Sequence, residues 1–434
     1  MSNTATLRTE ATKRSADALI AFARTALVTL ALLLIWLSLN PFSGGQPINE
    51  GGSVLNQITY TGVLGILLLA MLTVVPPAVA TRLVSLPWLL LIGWVVVSGL
   101  FVSPAGDVAV RGAMFSVIVV MLAGLIVVCA PTERALLCAV AGASGTILVL
   151  SMAGMVLLPN AAVHTAFEAE PQHAGLWRGV FSHKNIAGPV MVLIMFAGIY
   201  VARRLSLIAG LLIAVAAFAF VYNTGSKTSL ALAPMVLLLV ALPNMMGLRA
   251  MVPLACVIAI AAAHALTIGS VYLDAFDGIV QTISPDTTYT GRTEIWAFAK
   301  DYVLAKPLTG FGYAGFWGTD TVLGAEQPFD RAWDPRGIIH GHNGYLDALL
   351  FFGIPGFALM IWATVVSPAF QYVVAIRSPA NDAANDFFYM LIVFATLNAS
   401  LESFFFNRTD PVWLTLVFAL FGLRLASWLN VSRT

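Results

Sequence analysis

Four short stretches carry residue types suited to transferring a group on an anionic carrier. "RGVFSHKN" (Arg178 to Asn185) supplies Arg178, Lys184 and Asn185, and "NTGSKTSL" (Asn223 to Leu230) supplies Lys227. "GRTEIW" (Gly291 to Trp296) supplies Arg292, and "HGHNGYL" (His340 to Leu346) supplies His340, His342, Asn343 and Tyr345. A guanidinium grips phosphate as a planar fork and an ammonium as a point charge. An imidazole, which as a free side chain titrates near 6.5, can take a proton from a hydroxyl at neutral pH. Cations converging on one base would hold a diphosphate while a hydroxyl attacks the atom beside it.

Each stretch also has a plainer reading. Arg178 and Lys184 precede an apolar segment and can snorkel to headgroups as anchors. The Gly-Ser-Lys-Thr string lacks the earlier glycine and the preceding strand of a phosphate loop. Arg292 opens a helical pattern continued by Ile295, Phe298, Val303 and Leu304, where it can pair with Glu294 or another loop carboxylate. His340 and His342, two apart, share no helical face, and no Glu follows at catalytic-zinc spacing, so a metal site there would need a distant carboxylate to complete it, and a role in taking a proton suits the imidazole better. Cys129, Cys138 and Cys256 all fall in apolar stretches and suggest neither a disulfide nor a metal framework.

The elements that must position these residues are membrane helices. Hydrophobic residues make up 59% of 434 and charged residues 10%, too little polar surface for a water-soluble particle of this size. The formal net charge is +1 with basic residues scattered, which gives no support to a nucleic-acid partner. With roughly 17–25 residues needed per span, apolar segments fall near 18–40, 58–80, 84–103, 112–130, 133–158, 185–201, 205–222, 226–242, 250–273, 344–366, 386–402 and 411–429. The expected fold is therefore all-α, a polytopic membrane protein of about twelve transmembrane helices forming one integral membrane domain over 1–434. The first segment follows Arg8, Lys13 and Arg14 but is longer than a cleaved signal core, so it reads as a retained anchor.

With the N-terminus inside, every short inside loop carries arginine, namely Arg82, Arg134, Arg203 with Arg204, Arg249 and Arg377, so both termini are expected in the cytoplasm. The outside then receives 159–184 and the long loop 274–343. That loop holds Trp296, Phe311, Tyr313, Phe316, Trp317 and Trp333. It is too aromatic for a tether and should fold in short helices against the bundle. Gly353, Pro355 and Gly356 predict a bend within the helix behind His342. Arg178, Lys184, Lys227 and Arg292 thus lie on the same side as His342, with the bilayer itself as one partner.

The blocks "GVFSHKN", "GSKTSL", "GRTEIW" followed by "PLTGFGYAGF", and "HGHNGYL" followed by "FFGIPG" resemble successive motifs of the O-antigen ligase and polysaccharide polymerase superfamily, especially its exopolysaccharide-polymerase branch. The resemblance covers roughly 175–405 and rests most on the order of the last two blocks. It implies a GT-C-like membrane glycosyltransferase of the bacterial inner membrane, with its site at the periplasmic face and part of that site on the 274–343 loop. Such a protein moves a glycan from undecaprenyl diphosphate to a hydroxyl of a growing chain, as a polymerase, or of lipid A core, as a ligase. The resemblance further implies inversion at the anomeric carbon, no metal or other cofactor, and, for a polymerase, a flippase and a chain-length regulator as partners.

Carried over by motif, His342 is the expected general base and Arg292 the expected diphosphate ligand. Lys227 stands where ligases often have Arg in a Ser-Arg-Gly block, a departure that favours polymerase over ligase. These three are the expected catalytic residues. Arg178, Lys184 and Asn185 are expected to bind substrate, and Asn343 and Tyr345 to orient the base or the sugar. His340 receives no catalytic role. Trp296, Trp317 and Trp333 read either as sugar-stacking rings or as loop core. A transporter of lipid-linked oligosaccharide is the main rival, but it should place charges near the midplane and show paired repeats, and the chain has neither.

Overall fold

Every one of the twelve apolar segments forms helix. The structure, a computed structural model, describes residues 2–43, 53–168, 170–283, 289, 291–325 and 334–429, with backbone alone for 2–12, 283 and 335. The principal helices are α1 (Ser2–Leu37), α2 (Val54–Val74), α3 (Leu86–Phe101), α4 (Asp107–Cys129), α5 (Glu133–Leu157), α6 (Lys184–Arg204) and α7 (Leu207–Thr224). They continue as α8 (Lys227–Met245), α9 (Val252–Leu266), α10 (Asp274–Ile283), α11 (Arg292–Ala305), α12 (Gly344–Ile361), α13 (Asp382–Asn398) and α14 (Pro411–Trp428). Among the described residues no strand forms; Val163 and Trp177 make an isolated antiparallel bridge.

Among the described residues ten helices are long and apolar enough to cross a membrane, and a pair bent by 56°, Pro77–Leu83 with α3, makes an eleventh. The remaining predicted span is α13, which at 17 residues is one short of the shortest of the ten. The chain is an all-α, multi-pass membrane protein. Lipid-facing helices carry outward Leu, Val and Phe, such as Leu69, Phe101, Val156 and Leu212, as expected where hydrocarbon is the solvent.

Helices α4, α6, α13 and α14 form the centre. From Ala383 to Asn398 every residue of α13 is buried. Glycines allow α6 and α7 to approach closely: a Cβ on Gly198 would lie 2.6 Å from the Ala214 nitrogen, and one on Gly210 would lie 2.1 Å from that of Ala202, a packing common between membrane helices. Helix α6 also separates the two polar ends of the bundle by about 30 Å, at 1.5 Å per residue. At its C-terminal end Arg204 pairs with Glu133 at 3.0 Å and Arg203 with Asp386 at 2.8 Å. Lys184 starts the other end.

The bend behind His342 is a true break. Gly353 has φ 62° and ψ −173° inside α12, so the helical bonds across it are lost and must be replaced where no water reaches. The segment "PLTGFG" replaces them. Phe311 N–H donates to Leu350 O at 2.7 Å, Gly312 N–H to Phe351 O at 2.8 Å, and Ile354 N–H to Pro307 O at 2.7 Å. Gly310 makes this docking possible, since at φ 61° a Cβ would lie 2.6 Å from Leu350 O. Gly310→Ala is expected to cost more than about 1 kcal/mol for the left-handed backbone alone, plus the clash, seen as a lower unfolding temperature in detergent.

The described parts of the long loop fold around Ile295, Trp296, Phe311, Phe316, Trp317 and Val322, against Leu346 and Leu350 of α12. Trp296 and Trp317 are therefore loop core. Trp333 lies outside the described residues.

Candidate active site

The N-terminus of α12 sets His342. Asn343 is wholly buried and caps the helix: its Oδ1 accepts from the Tyr345 and Leu346 N–H groups, both at 3.1 Å, and its Nδ2 donates to Ser400 O at 2.7 Å. Asp347, one turn on, accepts from Gly341 N–H at 3.0 Å and from Trp317 Nε1 at 2.7 Å, while Trp296 Nε1 donates to Gly341 O at 2.9 Å. The loop core and the helix thus clamp residue 341 from both sides. His342 between them takes φ 49°, a left-handed conformation uncommon outside Gly, Asn, Asp and His and frequent at sites where surrounding structure over-determines the backbone.

Its side chain meets a carboxylate from beyond α13. His342 Nδ1 lies 3.7 Å from Glu402 Oε2, longer than a hydrogen bond, and Nδ1 has no hydrogen-bond partner. The other oxygen, Glu402 Oε1, accepts from Arg292 NH2 at 3.0 Å, and Arg292 NH1 donates to Leu401 O. Burial alone would raise the Glu402 carboxyl, but His342 and Arg292 hold it below the ordinary carboxylate value. The partner of Arg292 is therefore Glu402 and not Glu294. His340 backs the loop, its Nδ1 accepting from His342 N–H at 3.3 Å with ring centroids 4.2 Å apart. Burial first, then His342, pushes the His340 imidazole down to about 4, so it stays neutral.

Lys184 and Lys227 come to the same region. Each is the first residue of a helix, α6 and α8, as Arg292 is of α11. The Lys184 ammonium interacts electrostatically with Glu170, Glu402, Lys227 and Arg292. Three helix starts, each opening on a cation, thereby lie within electrostatic reach of Lys184, where the N-terminal ends of helices favour an anion. Lys227 is exposed, and Asn185 is half-buried in the first turn of α6.

Other predicted residues are committed elsewhere. Arg178, 1% exposed, gives its guanidinium to Glu168 at 2.7 and 2.9 Å and to the carbonyls of Asn160 and Ala161. Burial opposes ionisation of Glu168, yet Arg178, the Thr165 N–H and His164 hold it down to about 2. Arg178 therefore braces the 158–183 segment. Tyr345 points into the bundle, its hydroxyl on Thr396 O at 3.0 Å.

Two carboxylates and a histidine group escaped the sequence reading. Glu402 was hidden at the end of an apolar run counted as a span, where a lone carboxylate at membrane depth was the available signal. Asp347 sits inside an apolar helix and carries the same signal. His164, His173 and His183 bring ring nitrogens within 4.8 Å of one another although nothing in their spacing marks them.

Residues 190–361 match the family described as O-antigen ligase, a stretch that includes Lys227, Arg292 and His342 and begins after Arg178, Lys184 and Asn185. Among curated proteins, the exopolysaccharide production protein ExoQ of Rhizobium meliloti (strain 1021) is 28% identical over 105 residues. The match spans 23% of this chain and 23% of that relative. Both agree with the resemblance read from the motifs.

Proposed function

Taking as premise a membrane protein of the O-antigen ligase and polysaccharide polymerase type, we propose that the chain is an inverting glycosyltransferase that polymerises undecaprenyl-diphosphate-linked repeat units at the periplasmic face of the inner membrane. The observation that carries this reading is Arg292 held against Glu402 beside His342, with Lys184 in electrostatic reach of Glu402, Arg292 and Lys227, each of the three cations opening a helix. A diphosphate needs fixed positive charge where its leaving-group charge builds, and an acceptor hydroxyl needs a base.

In the proposed step the acceptor oxygen bonds to the anomeric carbon from the face opposite the diphosphate. The bond from that carbon to the phosphate oxygen breaks, and undecaprenyl diphosphate leaves with the electron pair. The hydroxyl proton passes to His342, and Glu402 offsets the imidazolium that forms, the role of the third member of a catalytic triad. Arg292, Lys227 and Lys184 receive the growing phosphate charge. No step runs through a metal or other cofactor. Asn343 and Asp347 act through the loop, by fixing where the imidazole sits.

Arginine at the opposite end supports this orientation. Arg203, Arg204 and Arg249 sit there with Glu133, Asp382 and Asp386, and a bias of this kind favours the cytoplasmic side. The likeness to an exopolysaccharide production protein and the lysine at 227 favour polymerase; the description of the matched family favours ligase as the second reading. In a strain lacking this protein, polymer is expected to vanish while single lipid-linked repeat units accumulate. Polymer of normal length that fails to reach lipid A core would establish the ligase, and unchanged surface glycan would overturn both.

A further inference from the structure

Beside the proposed transfer residues, three imidazoles meet over the start of α6. His164 and His183 stand edge-on with centroids 4.9 Å apart, His173 and His183 5.4 Å, and His164 and His173 5.6 Å. One carboxylate oxygen, Glu170 Oε2, lies 2.9 Å from His183 Nε2 and 3.4 Å from His173 Nδ1. We propose that His164, His173, His183 and Glu170 bind a transition-metal ion of the Zn(II) class.

The donor set fits that class. Imidazole with one carboxylate suits zinc, cobalt, nickel and copper and is a poor set for calcium or magnesium. Four tetrahedral ligands at about 2.0–2.1 Å place their atoms about 3.4 Å apart, and the three ring nitrogens already lie within 4.8 Å of one another, so modest side-chain rotation closes the shell. His173 Nδ1 is buried with no hydrogen-bond partner, an orphan that coordination would satisfy.

An outer shell is also built. Glu168 accepts from His164 Nδ1 at 3.0 Å and is itself fixed by Arg178 and Thr165. A carboxylate in that position sets the tautomer, leaving Nε2 as the lone-pair nitrogen, and fixes the ring, as outer-shell carboxylates do at many metal sites. Glu170, with a side chain 49% exposed, gives an ion a path in.

The site joins the backbone of α6. Lys184 N–H donates to His164 Nε2 at 3.2 Å and Asn185 N–H to His183 Nδ1 at 3.1 Å. Coordination through His164 Nε2 replaces the first of these contacts, and coordination through His183 Nε2 moves that ring's proton to Nδ1 and breaks the second, so occupancy moves the helix end that carries Lys184. That consequence rests on the proposed role of Lys184; the metal site itself does not.

The test is titration of cobalt(II) into the full chain, purified in detergent through a histidine-free tag, with visible absorption and metal content as readouts. One ion per chain with tetrahedral cobalt bands is expected in the wild type and in His342→Ala. His173→Ala should lower affinity by more than the roughly 10–100-fold typical of outer-shell partners, and His183→Ala likewise, each variant first shown to elute as the wild type does. No saturable binding, binding unchanged in both variants, or binding lost in His342→Ala would each overturn the proposal. Because the readout is metal binding, its outcome is independent of whether the chain transfers glycan.

Discussion

Replacing His342 by alanine is expected to lower kcat for glycan transfer by about 10²–10⁴-fold, the usual worth of a positioned general base, with little change in KM for the lipid-linked donor. The donor's diphosphate is held by Arg292, Lys227 and Lys184, none of which the substitution touches, so ground-state binding survives while proton removal is lost. Alanine also brings a small backbone cost, because residue 342 sits at φ 49°, a left-handed region that histidine and asparagine enter more readily than alanine. His342→Asn separates the two effects: asparagine tolerates the left-handed region but offers no base. Both variants should reach the membrane and both should be slow. A His342→Asn protein as active as the wild type would remove the base from the mechanism.

The second large effect is at Arg292. Arg292→Ala is expected to reduce kcat about 10²–10³-fold, the loss of one preorganised donor worth about 3–4 kcal/mol. The arginine has two tasks that alanine abandons together, stabilising the leaving diphosphate and neutralising Glu402 across 3.0 Å. Arg292→Lys should recover only part of the rate. One ammonium cannot reproduce the fork that reaches Leu401 O and Glu402 together and still face a phosphate. Kinetics of the purified variants with a lipid-linked donor check this. Equal rates for Arg292→Lys and the wild type would show that point charge alone suffices.

Much of this architecture was legible because membrane helices are written in composition. All twelve apolar segments became helices, and even the break at Gly353 was announced by Gly-Ile-Pro-Gly. How the break is healed was not legible. The backbone of 307–312 supplies hydrogen bonds to α12, and sequence order shows only that "PLTGFGYAGF" and "FFGIPG" belong together. The 17-residue α13 illustrates a related limit. Its hydropathy runs on through Ser400 to Glu402, so a carboxylate that lies beside both His342 and Arg292 is absorbed into a span.

The candidate site was legible by residue type and less so by partner. Arg292, Lys227, Lys184 and His342 stood out because charge in an apolar chain is scarce, and they do come together. Arg178 stood out for the same reason, yet its guanidinium is held by Glu168 and two carbonyls, since a buried cation must find its counter-charge nearby. Asn343 looked like a polar contact for sugar, and its side chain caps α12. Pairings of this kind depend on which loop folds over which helix, and that information lies in no single stretch of sequence.

The most direct test of the account is a reconstituted reaction with the purified chain and one defined undecaprenyl-diphosphate-linked repeat unit, following lipid diphosphate release together with the anomeric configuration of the new linkage. The account predicts release matched by chain elongation, inversion at the new bond, and a fall of at least about 10²-fold in His342→Asn. Retention of configuration, or equal release by the wild type and His342→Asn, would contradict it.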